Sequence, residues 1–319
     1  MRVAVIGLGS AGSRHAEHLV ALGHDVLGYD PGSPPTPENV RRVEDLEAAL
    51  GDAQAAVIAS PNVDHRDQAL SALAAGCHVL VEKPLALNAG DAARIASAAH
   101  SASRVCGVAM NLRFHPGLLT LRSLLIAGAL GRPLLSHISF GFDLRLWRPN
   151  SDYTRSYSAR AELGGGILLD DIHELDYLLW LLGPGRAVTA RLDRLSQLKL
   201  DVEDTVLATV ELASGALATV DLNFFEPSYR RACRIVGEGA VAHWDWRTRT
   251  VEITGEDAHL VDVSCDLSEC YRAVVVDFTE AIEQGRPTRA SANEGVATLI
   301  LADAIRRSSA TGRRVELAL

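Results

Sequence analysis

Residues 2–12, RVAVIGLGSAG, decide how the chain opens. Arg2 to Ile6 is short, apolar and β-branched enough for a buried strand, and Gly7-Leu8-Gly9-Ser10-Ala11-Gly12 follows at once. The next stretch, AGSRHAEHLVALG, has helical composition and stops at Gly23. Strand, glycine-rich turn and helix in that order suit a dinucleotide: Gly7 makes the tight turn, Gly9 lets the backbone approach a pyrophosphate, and Gly12 lets the helix pack closely on the strand. Such turns are common, so context matters. Asp30 closes the second strand 18 residues beyond Gly12, near the separation at which an acid bonds the adenosine ribose hydroxyls. Asp30 would repel a 2′-phosphate and no arginine follows before Arg41, so NAD is favoured over NADP.

The rhythm continues outward from this turn. HDVLGYD, AQAAVIAS, HVLVEKP and VCGVAMN read as further strands, and DHRDQALSALAAG and NAGDAARIASAAHSAS as helices between them. That alternation predicts a doubly wound parallel sheet. From about Gly131 the character changes to longer alternating segments, DTVLATVELA, ALATVDLNFF, RACRIVGEGAVAHWDW and TVEIT, with hairpin turns at Ser214-Gly215 and Gly237-Glu238-Gly239. The expectation is an α/β protein of two domains, residues 1–115 and 116–319, the second built on an open, mainly antiparallel sheet. NEGVATLILADAIRRSSATG reads as a closing helix over about 293–310, ended by Gly312.

Composition narrows the partners. At 319 residues two domains are the default, and a net charge of -9 gives no electrostatic case for nucleic acid or an anionic membrane. A small-molecule partner and a soluble, cytoplasmic protein are expected, since no secretory leader or spanning stretch is apparent. Five cysteines, odd in number and without a CxxC pair, read as reduced structural thiols.

Two further segments carry chemistry. Val81-Glu82-Lys83-Pro84 ends a parallel strand, on the side where ligands of doubly wound sheets collect, and Pro84 keeps Lys83 extended. Residues 164–176, GGGILLDDIHELD, combine three glycines, an apolar run and a dense set of proton-carrying groups. As a continuous helix, the stretch would put Asp170 about 60° from His173, Asp176 about 60° away on the other side, and Asp171 about 160° away, a bystander. Tyr177 and Trp180 fall on the same stripe as core. A metal site of Asp170, His173 and Asp176 is disfavoured because zinc would want a second His or Cys, and no metal is expected.

Together VAVIGLGSAGSRHA, VIASPNVDH, VLVEKPLALN, NLRFHPGL, LGGGILLDDIHELDYLLWLLG and ATLILADAIRRSSATGRRV resemble the glucose-fructose oxidoreductase / inositol dehydrogenase family, Gfo/Idh/MocA, over nearly the whole chain. NLRFHPGL with LWRPNSDYTRSYSA is similar to a carbohydrate-associated branch. The resemblance implies a Rossmann domain, a sheet domain for substrate binding and subunit contacts, the closing helix packed between them, and a homodimer or homotetramer. Apolar residues on both faces of DTVLATVELA agree with self-association.

It also implies hydride transfer between NAD and a secondary alcohol or ketone of a sugar, nucleotide sugar or cyclitol. His173 would be the acid/base, Lys83 would polarise the oxygen, and Asp170 would orient the imidazole. Many relatives carry their aspartate where Leu169 stands; the three-residue spacing of Asp170 is read as a branch trait. By the same resemblance Gly7 to Gly12, Asp30, Ser60, Pro61, Asn62, His65, Glu82, Lys83, Pro84 and Asn111 would surround the cofactor. Arg113, Trp147, Arg148 and Tyr153, with Lys83, Asp170 and His173, would meet the substrate. The alternatives are a lyase or glycosidase acting by transient oxidation, and a non-catalytic NAD-linked sensor.

Overall fold

The computed structural model describes residues 1–317 apart from Ser33, Arg148 and Asn150. Its first compact unit comprises Met1–Asn111 and Leu267–Leu299; its second comprises Leu112–Asp266 and the chain from Ile300 onward. The single cut expected at 115/116 is therefore replaced by a chain that leaves the first unit and returns to it. No helix is long and apolar enough to cross a membrane among the described residues.

In the first unit the elements are β1 (Arg2–Ile6), α1 (Ser10–Ala21), β2 (Asp25–Tyr29), β3 (Val40–Arg42), α2 (Leu46–Gly51), β4 (Ala55–Ile58), α3 (His65–Ala74), β5 (His78–Val81), α4 (Ala89–Ser101) and β6 (Cys106–Val108). The strands form one parallel sheet in the order β3-β2-β1-β4-β5-β6. Val3, Ala4 and Val5 of β1 and all of β4 are wholly buried, because helices cover both faces. The order reverses beside β1, so the β1 and β4 carboxyl ends open the crevice where such folds bind ligands.

The second unit begins with α5 (Pro116–Ile126), β7 (Pro133–Gly141), α6 (Leu144–Trp147), α7 (Ile167–Asp170) and α8 (His173–Leu182). It continues with β8 (Gly185–Asp193), β9 (Thr205–Leu212), β10 (Leu217–Asn223), β11 (Arg230–Gly237), β12 (Ala240–Asp245), β13 (Thr250–Gly255) and β14 (His259–Asp262). Then α9 (Leu267–Gln284) lies in the first unit, α10 (Ala292–Thr311) begins in the first and finishes in the second, and β15 (Val315–Glu316) closes the second sheet.

That sheet runs β14-β13-β12-β11-β7-β10-β9-β8-β15. Its pairings are antiparallel except β7 with β10, which run parallel at its centre. One face is core: Val206, Ala208, Val210 and Leu212 of β9 are buried, as are Ile138 and Phe140 of β7. The opposite face is more polar than the sequence suggests, since Leu207 stands in register between Arg191 and Asp221. Its apolar content concentrates in one row, Leu217–Leu135–Val236–Val241, across four adjacent strands.

Candidate active site

The turn after β1 has the shape the glycines imply. Gly7 takes φ +89°, and a Cβ on it would lie 2.6 Å from the Ala59 carbonyl carbon. A Cβ on Gly12 would lie 1.8 Å from the Gly7 carbonyl oxygen, so α1 packs against the turn with no room for a methyl. A Cβ on Gly9, by contrast, would meet nothing within 4 Å. The amino end of α1 has no side-chain cap and no acidic residue in its first turn. Its amide donors and dipole are thus offered to an anion, and the open volume over Gly9 fits a diphosphate.

Asp30 is tied to this turn. One carboxylate oxygen accepts the Leu8 N–H at 2.7 Å and the other the Gly32 N–H at 2.7 Å. Each oxygen keeps a lone pair for a ribose hydroxyl. Arg42, beyond the loop, donates to the Asp30 and Pro34 carbonyls at 2.8 Å. The open turn and held carboxylate fit NAD, with Gly7 to Gly12 and Asp30 as the residues to hold it.

The strand ends beyond are held by two buried histidines. His15 of α1 places Nε2 2.7 Å from Glu82 Oε1, and Glu82 Oε2 accepts the Lys83 N–H at 3.1 Å. Burial alone would raise the Glu82 carboxyl; the His15 hydrogen bond and charge, with Lys83, hold it below its usual range instead. His65, wholly buried, sets Nδ1 2.7 Å from the Pro84 carbonyl oxygen and Nε2 3.0 Å from that of Ser60. Burial lowers its pKa. Both ring nitrogens face backbone, so His65 stands between the Ser60-Pro61 turn and the Lys83-Pro84 turn, and Glu82 accepts the backbone N–H of Lys83. Asn62 and Asn111 are also buried.

In the second unit GGGILLDDIHELD is not one helix. Gly164 is left-handed and Gly166 has φ +103°, with no room for a Cβ because Glu203 Oε1 would lie 2.3 Å away. From Ile167 the chain makes one short helix, α7, breaks at Asp171 (φ -103°, ψ 42°), and restarts as α8 at His173. Angles counted around a continuous helix therefore fail. Asp170 accepts a hydrogen bond from the Tyr157 hydroxyl at 2.7 Å. Asp176 forms two 2.8 Å bonds with the buried Arg113 guanidinium, which also lies over Trp180. Asp171 is buried and ion-paired with Arg231 rather than a bystander, and Glu174 lies 2.9 Å from Arg231 Nε. Tyr177 is core, as its place on the stripe suggests.

Around this cluster lies an aromatic wall. Arg231 sits 4.5 Å from the Phe140 ring centre, and Tyr229 packs near Phe140, Phe142 and Trp246. Of the substrate candidates, Arg113 bonds Asp176, while Trp147 donates its indole N–H to the Phe142 carbonyl and packs edge-on to Phe140 and Phe224. The Tyr153 hydroxyl accepts the Lys199 N–H, and Arg148 lies outside the described residues. Arg231, Tyr157 and Glu174 were not singled out by sequence. A signal for Arg231 exists: it alternates with Cys233 and Ile235 on the core face of β11, where an arginine demands buried acids.

A parallel sheet with a diphosphate-shaped first turn, joined in one chain to an open sheet that carries a buried histidine-carboxylate cluster, defines an NAD-binding oxidoreductase. Residues 1–110 match the family model described as "Oxidoreductase family, NAD-binding Rossmann fold", and residues 118–243 the "GFO/IDH/MocA C-terminal domain". The chain belongs to the Gfo/Idh/MocA family. It is 30% identical over 331 residues to an inositol 2-dehydrogenase of Acidothermus cellulolyticus, covering 97% of this chain and 92% of that protein. It is 28% identical over 291 residues to a 1,5-anhydro-D-fructose reductase of Ensifer adhaerens, covering 87% and 84%. Among solved structures, GenD2 from gentamicin A biosynthesis in complex with NAD superposes with TM-score 0.84 at 28% identity, covering 100% of this chain and 97% of that one. Levoglucosan dehydrogenase in complex with NADH and L-sorbose shares the fold, with TM-score 0.88 at 22% identity over 100% and 99%.

Proposed function

We propose that the protein transfers a hydride between NAD and a secondary alcohol or ketone of a sugar, nucleotide sugar or cyclitol. The observation that carries this reading is the near-full-length likeness to a protein named for inositol oxidation, joined to a buried histidine at a helix start among carboxylates. When bound, NAD supplies the hydride acceptor or donor. His173 takes the hydroxyl proton as the carbinol is oxidised and returns it in reduction. Lys83 stabilises developing negative charge on the reacting oxygen. Asp170, with Tyr157 on its oxygen, orients or relays for His173. A second copy of the chain is proposed to pair through the outer face of the second sheet, where the Leu217–Leu135–Val236–Val241 row supplies apolar area.

The test is a panel of myo-inositol, levoglucosan and common nucleotide sugars, with 1,5-anhydro-D-fructose and NADH for the reverse direction, followed at 340 nm. Turnover with NAD, lost about a thousandfold or more in His173→Ala and Lys83→Ala while NAD binding survives, is the expected result. Undiminished turnover in both variants defeats the assignment.

A further inference from the structure

We propose that Arg231 is a positioning residue for His173, holding the helix break at which α8 begins. This rests on the reading of His173 as the acid/base.

On either side of the break the Asp171 and Asp176 N–H groups reach the Ile167 and Ile172 carbonyls at 3.0 Å, but the turn between them is weaker. Ile172, the N-cap of α8, offers no side-chain acceptor, and the Glu174 N–H reaches the Asp171 carbonyl only at 3.4 Å. A helix start without a cap frays, and fraying here would move His173 itself. Arg231 grips both sides of that start. Its Nη2 bonds Asp171, two residues before His173, and its Nε lies 2.9 Å from Glu174, one residue after. The three side chains are 9%, 6% and 0% exposed, so the contact is buried and little screened by solvent.

The other end of the clamp is rigid. Arg231 lies on β11, in register with Phe140 of β7, near the middle of the sheet. Its guanidinium lies 4.5 Å from the Phe140 ring centre and 5.8 Å from that of Tyr229, which restricts its rotation. The strand thereby sets where α8 starts. A delocalised guanidinium can face two carboxylates at once, hydrogen-bonding Asp171 through Nη2 and meeting Glu174 by charge alone at Nε; a lysine ammonium, a point charge on a flexible stem, is less suited to hold both.

The experiment compares Arg231→Lys with the triple variant Arg231→Met, Asp171→Asn, Glu174→Gln. The triple variant leaves no charge buried without a partner. Three measurements are made on each: NAD binding by fluorescence; kcat, KM and the pH profile with the panel substrate that wild type turns over; and the ring titration of His173 by NMR on [15N]histidine protein, assigned with His173→Gln. Both variants are expected to keep the wild-type circular dichroism spectrum and NAD affinity and to lose kcat by about tenfold or more with little change in KM. Because lysine preserves the charge, the Arg231→Lys protein should also show the His173 midpoint moved by about half a pH unit, reporting position and not field.

Wild-type kcat, pH profile and His173 titration in either folded variant, with His173→Ala inactive, overturns the proposal and leaves the acid/base assignment standing. Full turnover in His173→Ala removes both. If neither variant folds, Arg231 serves stability alone and the proposal falls.

Discussion

At the residue scale, Gly9 and Gly12 respond differently to the same added methyl. A Cβ on Gly12 would meet the Gly7 carbonyl oxygen at 1.8 Å, whereas on Gly9 it would stand in open space. Gly12→Ala is therefore expected to lower thermal stability and abolish NAD binding together. Gly9→Ala should unfold within a degree or two of wild type yet bind NAD about tenfold or more weaker, read by calorimetry. His115 poses a pH question. Its ring packs against both Trp244 and Trp246, and its Nδ1 accepts the Gly117 N–H at 3.0 Å as the cap of α5. Burial first, and then the Arg231 charge, push its pKa down to about 4. The unfolded chain, with a pKa near 6.5, binds the proton first. Stability from the neutral ring is thus complete above about pH 6.5 and is lost as pH falls towards about 4, a loss of up to about 3 kcal/mol. Urea unfolding at pH 7 and pH 4.5 should show that loss, and His115→Asn, which keeps a capping oxygen but does not titrate there, should flatten it.

At the element scale, α8 is bound to its surroundings by ions rather than by oil alone. Arg113 and Asp176 are 2% and 3% exposed in their side chains, so breaking the pair by Arg113→Met strands a buried carboxylate and should cost about 3–5 kcal/mol. Arg113→Met with Asp176→Leu should recover most of it, as measured by chemical denaturation. The same elements show what a sequence can disclose. Five strands of the first sheet, the hairpins at Gly215 and Glu238-Gly239, and α10 with its stop at Gly312 were legible because period and turn chemistry agree there. β3 has only three residues and does not announce itself, whereas α9 carries a readable signal, with Cys270, Val274, Phe278 and Ala281 buried at helical spacing and Gly285 just past its end. The break at Asp171 was illegible for a different reason: local propensity allows a continuous helix, and the contact Asp171 makes at the break is with Arg231, 60 residues further on. For the site, the dinucleotide turn was fully readable from local rules. The roles of His65, Glu82, Arg113 and Asp171 depend on partners distant in the chain, which local rules do not see.

At the scale of the whole molecule, the outer sheet face carries the proposed contact with a second copy. Leu217 is 44% exposed and stands in register with Leu135, with Val236 and Val241 beyond it. Leu135→Glu with Val236→Glu should shift light-scattering mass from a multiple of 34.1 kDa to that of one chain, without loss of NAD binding. A wild-type protein that runs as a single chain at all concentrations would remove this contact.

The returning chain path bears on how the protein is made. Synthesis delivers the parallel sheet early, but residues 267–299, which complete its unit, emerge only after the entire second sheet has been translated. The second unit in turn waits for Ile300 onward, and its central strand β7 must wait for β10 and β11 before it has neighbours. Neither half can be finished and set aside while the other is translated, so both stand incomplete on the ribosome together, dependent on the same late stretch of chain.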